Sequence, residues 1–197
     1  MKLLLVGAGG HSRAITEAAN LSGHQIVAVS DPRPEIYLMG VSRLSDDAAE
    51  LPGEIEGIVI GLGGVSPRQL ERRFALYESY RGRGLAAPAI VHPTACISES
   101  AVIGAGVVVL ARAVVQPGAV LDEACIANTG CIVEHDTFIG AGAHIAPAAC
   151  VLGSVHVGRA AMVGAGSVVL PGSTVADGGL VPAQGRYPEK SENGDPS

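Results

Sequence analysis

The chain has 197 residues with a formal net charge of -6, 27 glycines, no tryptophan and only 3% aromatic residues. That length allows one or two small domains with a substantial core. The acidic balance argues against nucleic acid or an anionic membrane surface as a partner. The first apolar run covers only residues 3–6, which is too short for a signal-peptide core or a membrane span, so we expect a cytoplasmic protein.

The first 84 residues alternate between short apolar runs and helical patterns. The pattern predicts strands at residues 3–6, 26–29 and 57–60, a helix over about 11–21, and a second helix starting at Ser66 or Pro67. This order is typical of a small α/β domain of the βαβ, Rossmann-like type with a parallel sheet, which we assign to residues 1–84.

A glycine-rich turn follows the first predicted strand. Gly9, Gly10, His11 and Ser12 open the helix, where unpaired backbone N–H groups favour a phosphate. Asp31 ends the second strand, where a ribose-binding acid lies in dinucleotide folds. Ser12 replaces the third glycine of G-x-G-x-x-G and the domain is about half the usual size, so a nucleotide is favoured over a redox cofactor. A purely structural turn is the alternative.

From Val91 to Val181 the sequence repeats every six residues. Every position in this frame is Ile or Val except Leu121 and Ala127, and the residue two places earlier is usually small. A period of six predicts short strands separated by turns, the pattern of a hexapeptide β-helix. We assign residues 85–182 to this coil, with roughly eighteen residues per turn, and residues 183–197 to a flexible polar tail.

The coil carries few charged residues between Val91 and Val181. Apolar residues expected on its outside, such as Val107, Val108 and Leu110, favour self-association. A closed homotrimer around the coil axis is the expected assembly.

Glu134, His135 and Asp136 interrupt a coil that is otherwise small and apolar. They follow the inward-facing Val133, so we expect them at an outward corner. A histidine between carboxylates is suited to removing a proton near neutral pH, because a carboxylate fixes the imidazole tautomer and stabilises the imidazolium. A solvated turn is the alternative interpretation.

The remaining histidines and cysteines give no metal-site pattern. His144 follows His135 by nine residues, about half a turn, so the two are expected to approach each other only between subunits. His156 falls on a further face, which argues against a three-histidine zinc site within one chain. Cys125 and Cys131 occupy small-residue slots of the repeat, which favours packing over ligation, and we expect no metal.

Three segments together match a known family: VGAGGHSR at residues 6–13, VHPTA at residues 91–95, and the block from Asn128 to Gly158. Over about residues 3–170 the chain resembles the hexapeptide acyltransferases similar to sialic-acid O-acetyltransferases. Within them it is most similar to N-acetyltransferases of nucleotide-linked 4-amino-4,6-dideoxy sugars. The resemblance implies a left-handed coil, acetyl-CoA and a nucleotide sugar as substrates, and a homotrimer with active sites between subunits.

The resemblance also implies roles for individual residues. His135 matches the general base, Asp136 its carboxylate partner, and His144 a histidine near the acetyl carbonyl. The N–H of Gly153 matches the oxyanion donor, and Asn128 matches a residue near the sugar. The implied nucleotide-sugar contacts are Gly9, Gly10, His11, Ser12, Asp31, Gly61 and Asn128. The implied coenzyme contacts are His144, Gly153, Gly158, Ala165, Gly166 and Ser167, with Arg159 and Arg186 as candidates for its phosphates.

The reaction implied is a direct transfer, in which His135 takes a proton as the 4-amine attacks the thioester, with no covalent acyl-enzyme. The chain departs from the family at Gly61-Leu62-Gly63-Gly64, where an asparagine is common, and at its C-terminal element over residues 179–185. Three alternatives remain: O-acetylation of a sialic or other sugar acid, a metal lyase like the γ-carbonic anhydrases, and a non-catalytic nucleotide-sugar-binding module.

Overall fold

The computed structural model describes residues 1–33, 41–44 and 51–188. Within those residues, no helix is long and apolar enough to cross a membrane. The elements are β1 (Lys2–Val6), α1 (Gly10–Leu21), β2 (Gln25–Ser30), β3 (Ser42–Leu44), β4 (Gly57–Ile60), α2 (Pro67–Gly82), β5 (Ile90–Val91), β6 (Cys96–Ile97), β7 (Val102–Ile103), β8 (Val108–Val109), β9 (Val114–Val115), β10 (Val120–Leu121), β11 (Ile126–Ala127), β12 (Ile132–Val133), β13 (Phe138–Ile139), β14 (His144–Ile145), β15 (Cys150–Val151), β16 (His156–Val157), β17 (Met162–Val163), β18 (Val168–Val169), β19 (Thr174–Val175), β20 (Leu180–Val181) and β21 (Arg186–Tyr187).

The N-terminal domain is a four-stranded parallel sheet in the order β3-β2-β1-β4. Leu3, Leu4 and Leu5 of the central strand β1 are fully buried, as expected for a parallel strand that is covered on both faces. Helix α1 and the first strands of the coil cover one face of the sheet, and α2 covers the other. Strand β3 was not predicted, because its three residues carry no apolar pattern.

The described residues after α2 form the parallel β-helix that the six-residue repeat predicts, with the left-handed coil that the family resemblance implies, so this fold prediction is confirmed. Each strand pairs with the strands eighteen residues away, as Ile126 does with Val108 and His144. Three flat sheets result. Face 1 contains β5, β8, β11, β14, β17 and β20; face 2 contains β6, β9, β12, β15, β18 and β21; face 3 contains β7, β10, β13, β16 and β19.

The predicted six-residue frame fills the interior of the coil. Val133, Ile139, Ile145 and Val151 are completely buried, with small residues such as Ala143 between them. At each corner from Gly106 to Gln184 one residue adopts the left-handed conformation, which glycine accepts at no steric cost. Because those residues repeat every eighteen positions, they form a column along each corner.

Helix α2 lies along the corner between faces 3 and 1. A side chain added at Gly106 would come within 2.6 Å of Tyr77, and one added at Gly142 within 3.0 Å of Phe74. Every residue in that corner column is small: Gly106, Ala124, Gly142, Ala160 and Gly178. Small residues let the helix approach the coil closely, so this column is the docking surface for α2.

Two expectations about the outside of the coil are corrected. Val107 points into the interior, and Val108 and Leu110 are buried against the N-terminal domain, so none of the three is free for self-association. The coil also extends further than predicted. Strand β21 and the turn before it lie within residues 183–197, because Tyr187 continues the six-residue frame after Val181. Residues 189–197 of the expected tail lie outside the described residues.

Candidate active site

His135 lies at the corner between faces 2 and 3, directly after β12. Its side chain is 59% exposed, and its Nδ1 lies 3.0 Å from Oδ2 of Asp136. Asp136 adopts the left-handed conformation, with φ 58°. A Cβ at Gly118, one turn earlier, would lie 2.5 Å from Oδ1 of Asp136, so glycine there makes room for the carboxylate. Since a carboxylate accepts from Nδ1–H, Nε2 of His135 is left to take up a proton.

Gly153 lies one turn beyond His135 at the same corner. A Cβ at Gly153 would come within 2.6 Å of both Nε2 and Cε1 of His135, so any other residue would displace the ring. The N–H of Ser154 donates to the carbonyl of His135 at 2.9 Å and ties the two turns together. Within the described ranges the Gly153 N–H has no acceptor. A base and an unpaired amide donor therefore share one corner, as an acyl-transfer site requires.

His144 lies on face 1 and is almost completely buried, with 5% of its surface exposed. Its Nδ1 lies 2.8 Å from the carbonyl oxygen of Gly64, which can only accept, so Nδ1 carries the proton. Its Nε2 lies 2.9 Å from Nδ2 of Asn128. The Asn128 oxygen accepts the Thr129 N–H at 2.7 Å, which fixes the orientation of the amide. His144 is therefore a neutral Nδ1–H tautomer whose Nε2 accepts from Asn128.

Burial is the main reason that His144 stays neutral. Removal from water lowers the pKa of His144 to about 4, although its hydrogen bond to Gly64 acts in the opposite direction. His11 lies beside it, with ring centroids 6.1 Å apart. Burial, assisted by the charge of Arg73, lowers the pKa of His11 to about 4 as well.

A cleft of ≈ 560 Å³ separates the two domains at this point. His11, Asn128 and His144 supply its polar groups. Its apolar wall comes from the coil and includes Ala146, Pro147, Met162, Ala165, Leu180 and Pro182. A long apolar wall with a few convergent polar groups is typical of a ligand site. His11 thus faces the interdomain cleft and does not line the cavity beside the glycine turn.

That second cavity, of ≈ 610 Å³, opens at the carboxyl ends of β1 and β2. Its lining includes Gly7, Gly9, Asp31, Arg33, Arg72 and Arg83. Ligands of open α/β sheets bind at this edge. Asp31 is buried, accepts the Ala8 N–H at 2.8 Å and pairs with both Nε and Nη2 of Arg33. The Arg33 guanidinium holds the pKa of the Asp31 carboxyl well below its usual range. Asp31 is therefore an anion when it accepts the Ala8 N–H and so fixes the glycine turn.

Three predicted nucleotide-sugar contacts support the backbone of the glycine turn and do not line the cavity: Gly10, Ser12 and Gly61. The Ser12 hydroxyl is buried and donates to the carbonyl of Gly9 at 2.6 Å. Gly61 is buried too, and any Cβ there would collide with the carbonyl oxygen of Gly7. Gly10 is the first residue of α1. Among the other predicted contacts, Gly9 and Asp31 line the cavity itself.

The predicted coenzyme contacts are spread over different corners. Ala165 lines the interdomain cleft with His144, and Gly166 turns the corner between faces 1 and 2. Gly158 is buried at the corner under α2. Arg159, beside it, donates to Glu71 at 3.1 Å and lies 4.7 Å above the Phe74 ring. This arginine is engaged in the domain contact.

Ser167 and Arg186 complete the set of predicted coenzyme contacts. The Ser167 hydroxyl is buried and donates to the Gly164 carbonyl at 2.7 Å. Arg186 is exposed and donates to Pro188 at 3.4 Å. Neither residue lines the interdomain cleft.

In the described part of the chain, no group of three or more His, Cys, Asp or Glu side chains is close enough to share a metal ion. Cys125 and Cys131 are buried in the coil interior, as the repeat predicts. Burial raises the pKa of both thiols, that of Cys131 to about 12, so they remain protonated.

In the loop between β4 and α2, sequence reasoning named Gly61 as a contact but missed the residues after it as lining of the cavities. Gly63, Gly64 and Val65 of this loop line the interdomain cleft, and Leu62 lines the cavity at the glycine turn. The run of glycines after the third predicted strand was the available signal. Arg73 was missed as well, because an arginine within a helix is usually solvent-exposed, whereas this one is fully buried.

Comparison with known proteins adds to this geometry. Residues 2–70 match the family described as the PglD N-terminal domain. A histidine-to-asparagine variant of perosamine N-acetyltransferase from Caulobacter crescentus, solved with CoA and GDP-perosamine, is 30% identical; the match covers 95% of this chain and 88% of that one, with a TM-score of 0.87. The acetyltransferase domain of PglB from Neisseria gonorrhoeae FA1090, solved with acetyl coenzyme A, is 32% identical over 92% of this chain and 88% of that one, with a TM-score of 0.84.

A more distant structure, WeeI from Acinetobacter baumannii AYE, shares the fold at 20% identity, covering 94% of this chain and 95% of that one, with a TM-score of 0.61. Comparison with curated proteins gives no match.

Proposed function

Because the chain belongs to the hexapeptide-repeat N-acetyltransferases that act on nucleotide sugars, we propose that it acetylates the 4-amino group of a nucleotide-linked 4-amino-4,6-dideoxy sugar. The family resemblance seen in the sequence is confirmed, and the chain is an acetyl-CoA-dependent N-acetyltransferase. The observation that carries the proposal is the His135 corner, where an imidazole held by a carboxylate lies close to the Cα of Gly153, whose N–H has no acceptor among the described residues.

The proposed reaction is a single displacement at the thioester carbonyl. Nε2 of His135 takes the proton from the sugar amine as the amine nitrogen attacks, while Asp136 stabilises the resulting imidazolium. The N–H of Gly153 donates to the oxyanion of the tetrahedral intermediate. The new C–N bond forms, the C–S bond breaks, and the proton held by His135 passes to the departing thiolate of CoA.

We assign two polar residues of the interdomain cleft, His144 and Asn128, to the positioning of the substrates. Since Nε2 of His144 carries no proton, this histidine accepts a hydrogen bond in the cleft and the Asn128 amide supplies the donor. We assign Asn128 to the sugar, and the apolar wall beside Ala165 to the pantetheine arm of acetyl-CoA. The nucleotide is assigned to the cavity at the glycine turn, with Gly9 and the helix N-terminus at its phosphates.

The two halves of this site belong to different corners of one chain. His135 lies between faces 2 and 3, whereas the interdomain cleft lies over face 1. We therefore propose a homotrimer in which the His135 corner of one copy meets the interdomain cleft of its neighbour. The outer surfaces of faces 2 and 3 support this arrangement: the described part of the N-terminal domain does not cover them, and Val102 and Val168 on them are 56% and 37% exposed.

The test of the function is an assay of CoA thiol release from acetyl-CoA with UDP- and GDP-linked amino sugars. We expect release with one 4-amino-4,6-dideoxy sugar nucleotide, and a product whose acetyl group resists hydroxylamine because it is an amide. A hydroxylamine-labile product would instead indicate O-acetylation of a hydroxyl. Binding without release would favour a non-catalytic module, and stoichiometric zinc with carbon dioxide hydration would favour a metal lyase.

The test of the assembly is the molar mass in solution by light scattering. We expect a mass of three chains for the wild-type protein. A fully active monomer would show that the reaction does not require the proposed interface.

A further inference from the structure

Arg73 of α2 is a buried cation with no counterion among the described residues. It is 1% exposed, and its Nε donates to the carbonyl of Leu62 at 2.9 Å. Its Nη1 donates to the carbonyl of Ala124, and its Nη2 has no partner in the part of the chain that the structure describes. In the described portion of the chain no carboxylate pairs with it. Burial lowers the pKa of Arg73 to about 10, so it is still charged at neutral pH.

A buried, uncompensated charge is expensive, and packing alone does not account for it. An apolar side chain of similar volume would fill the same space without the loss of hydration. The groups nearest the guanidinium add no negative charge, since His11, His144 and the Cys125 thiol are neutral at pH 7. The function of this charged side chain must therefore be sought in the two carbonyl groups to which the guanidinium donates.

Those two carbonyls belong to different domains. Leu62 lies in the loop between β4 and α2, and Ala124 lies in the corner column under α2. The same loop also receives His144, whose Nδ1–H donates to the Gly64 carbonyl. Arg73 and His144 thus hold one short loop at positions two residues apart, and the loop lines both the cavity at the glycine turn and the interdomain cleft.

We propose that Arg73 is a positioning residue for acetyl transfer. By fastening the Leu62 carbonyl to the coil, it keeps the Gly64 carbonyl where it fixes His144 as the Nδ1–H tautomer, and so keeps His144 and Asn128 aligned in the cleft. The positive charge also disfavours protonation of His11 and His144. The kinetic part of this inference rests on the proposed function, whereas the tautomer part does not.

The variants that test the inference are Arg73→Met, which removes both the charge and the hydrogen bonds, and Arg73→Lys, which keeps the charge but cannot hold two carbonyls in a planar fork. Arg68→Met is the matched control, because Arg68 is an exposed arginine on the same helix. Nitrogen-15 NMR of the histidine rings reports the tautomer of His144, and steady-state kinetics with each substrate varied report the alignment.

In the wild-type protein we expect the His144 proton on Nδ1. In Arg73→Met we expect a mixture of tautomers at His144 and a fall of about a hundredfold in kcat/KM for the sugar nucleotide, as for a misplacement of about 1 Å in an active site. We expect Arg73→Lys to recover part of the activity and Arg68→Met to match the wild type. The KM for acetyl-CoA should change by less than about threefold, because the wall beside Ala165 belongs to the coil.

The inference is wrong if wild-type His144 carries its proton on Nε2, which can be measured without any variant. It is also wrong if folded Arg73→Lys or Arg73→Met keeps both the Nδ1–H tautomer and the wild-type kcat/KM. If Arg73→Met does not fold, the tautomer and kinetics of Arg73→Lys decide the question. A wild-type protein with the expected tautomer but no transfer to any amino-sugar nucleotide would refute the proposed function and leave the tautomer part standing.

Discussion

The corner that carries His135 and the corner beneath α2 have the same backbone and different surroundings. In both, every eighteenth residue adopts the left-handed conformation, from Gly106 onwards in one column and from Gly118 onwards in the other. Under α2 that column holds only glycine and alanine, and a helix lies against it. At the other corner the column includes Asp136 and Ser154, and His135 stands exposed beside it. The repeat thus supplies a uniform backbone, and the choice of a few side chains decides whether a corner docks a helix or presents reactive groups.

The sharpest test of this contrast is His135→Ala at the exposed corner. We expect turnover to fall by about a hundredfold or more, as for loss of a general base. The KM for the sugar nucleotide should change little, since this imidazole is assigned to the reaction and not to substrate binding. His24→Ala is the control, because His24 follows α1 and lines neither cavity. Unchanged turnover of His135→Ala would remove His135 from the mechanism.

A large residue in the docking column should act on stability. We expect Gly142→Leu to lower the free energy of unfolding by about 2 kcal/mol more than Gly130→Leu, because an added side chain at Gly142 overpacks against Phe74. Gly130 has the same positive φ, with no atom within 4 Å of an added Cβ, so it controls for backbone strain. Chemical denaturation of both variants measures the difference. Equal destabilisation would mean that α2 does not rest on this column.

The buried His144 and the partly buried His11 of the interdomain cleft predict a dependence of stability on pH. His11 and His144 have pKa values lowered from 6.5 to about 4, so the unfolded chain binds more protons than the folded one between these values. Their contribution to stability is complete above about pH 6.5 and is lost as the pH falls towards 4. We expect a slope of about 1.4 kcal/mol per pH unit for each histidine.

Urea denaturation between pH 7 and pH 4 measures this slope, and His144→Gln should reduce it by the share of one histidine. An identical slope in that variant would show that His144 titrates normally in the folded protein.

The smallest expected effect is that of Gly153→Ala. The added methyl group would displace the His135 ring, and we expect turnover to fall about tenfold, the effect of a loss of about 1.4 kcal/mol in transition-state stabilisation. Stability should hardly change, since Gly153 has no positive φ and the His135 side chain can swing into solvent. Gly82→Ala, at the end of α2, is the control for an added methyl group, because Gly82 has no positive φ and no atom lies within 4 Å of an added Cβ there. Wild-type turnover in Gly153→Ala would show that the ring position is not critical.

Most of the coil could be predicted from the sequence, because the period of six is a local property of the chain. The inward frame through Val133 and Ile139 requires no knowledge of distant residues, and neither does the pairing of His135 with its neighbour Asp136. The glycine turn after β1 was equally readable. A further signal went unused: small residues at Gly106, Ala124 and Gly142, eighteen residues apart, mark the docking corner.

What the sequence determined by itself was the order of the elements apart from β3 and β21, the inward side of each rung, and the residues of the His135 corner. Only the tertiary structure decided that Arg73 is buried, that His11 lies beside His144, and that Arg159 joins α2 to the coil. The physical reason is the distance along the chain over which each kind of interaction acts. Strand periodicity and turn chemistry act over a few residues, whereas burial, desolvation and the partners of a polar side chain depend on segments brought together from distant parts of the chain.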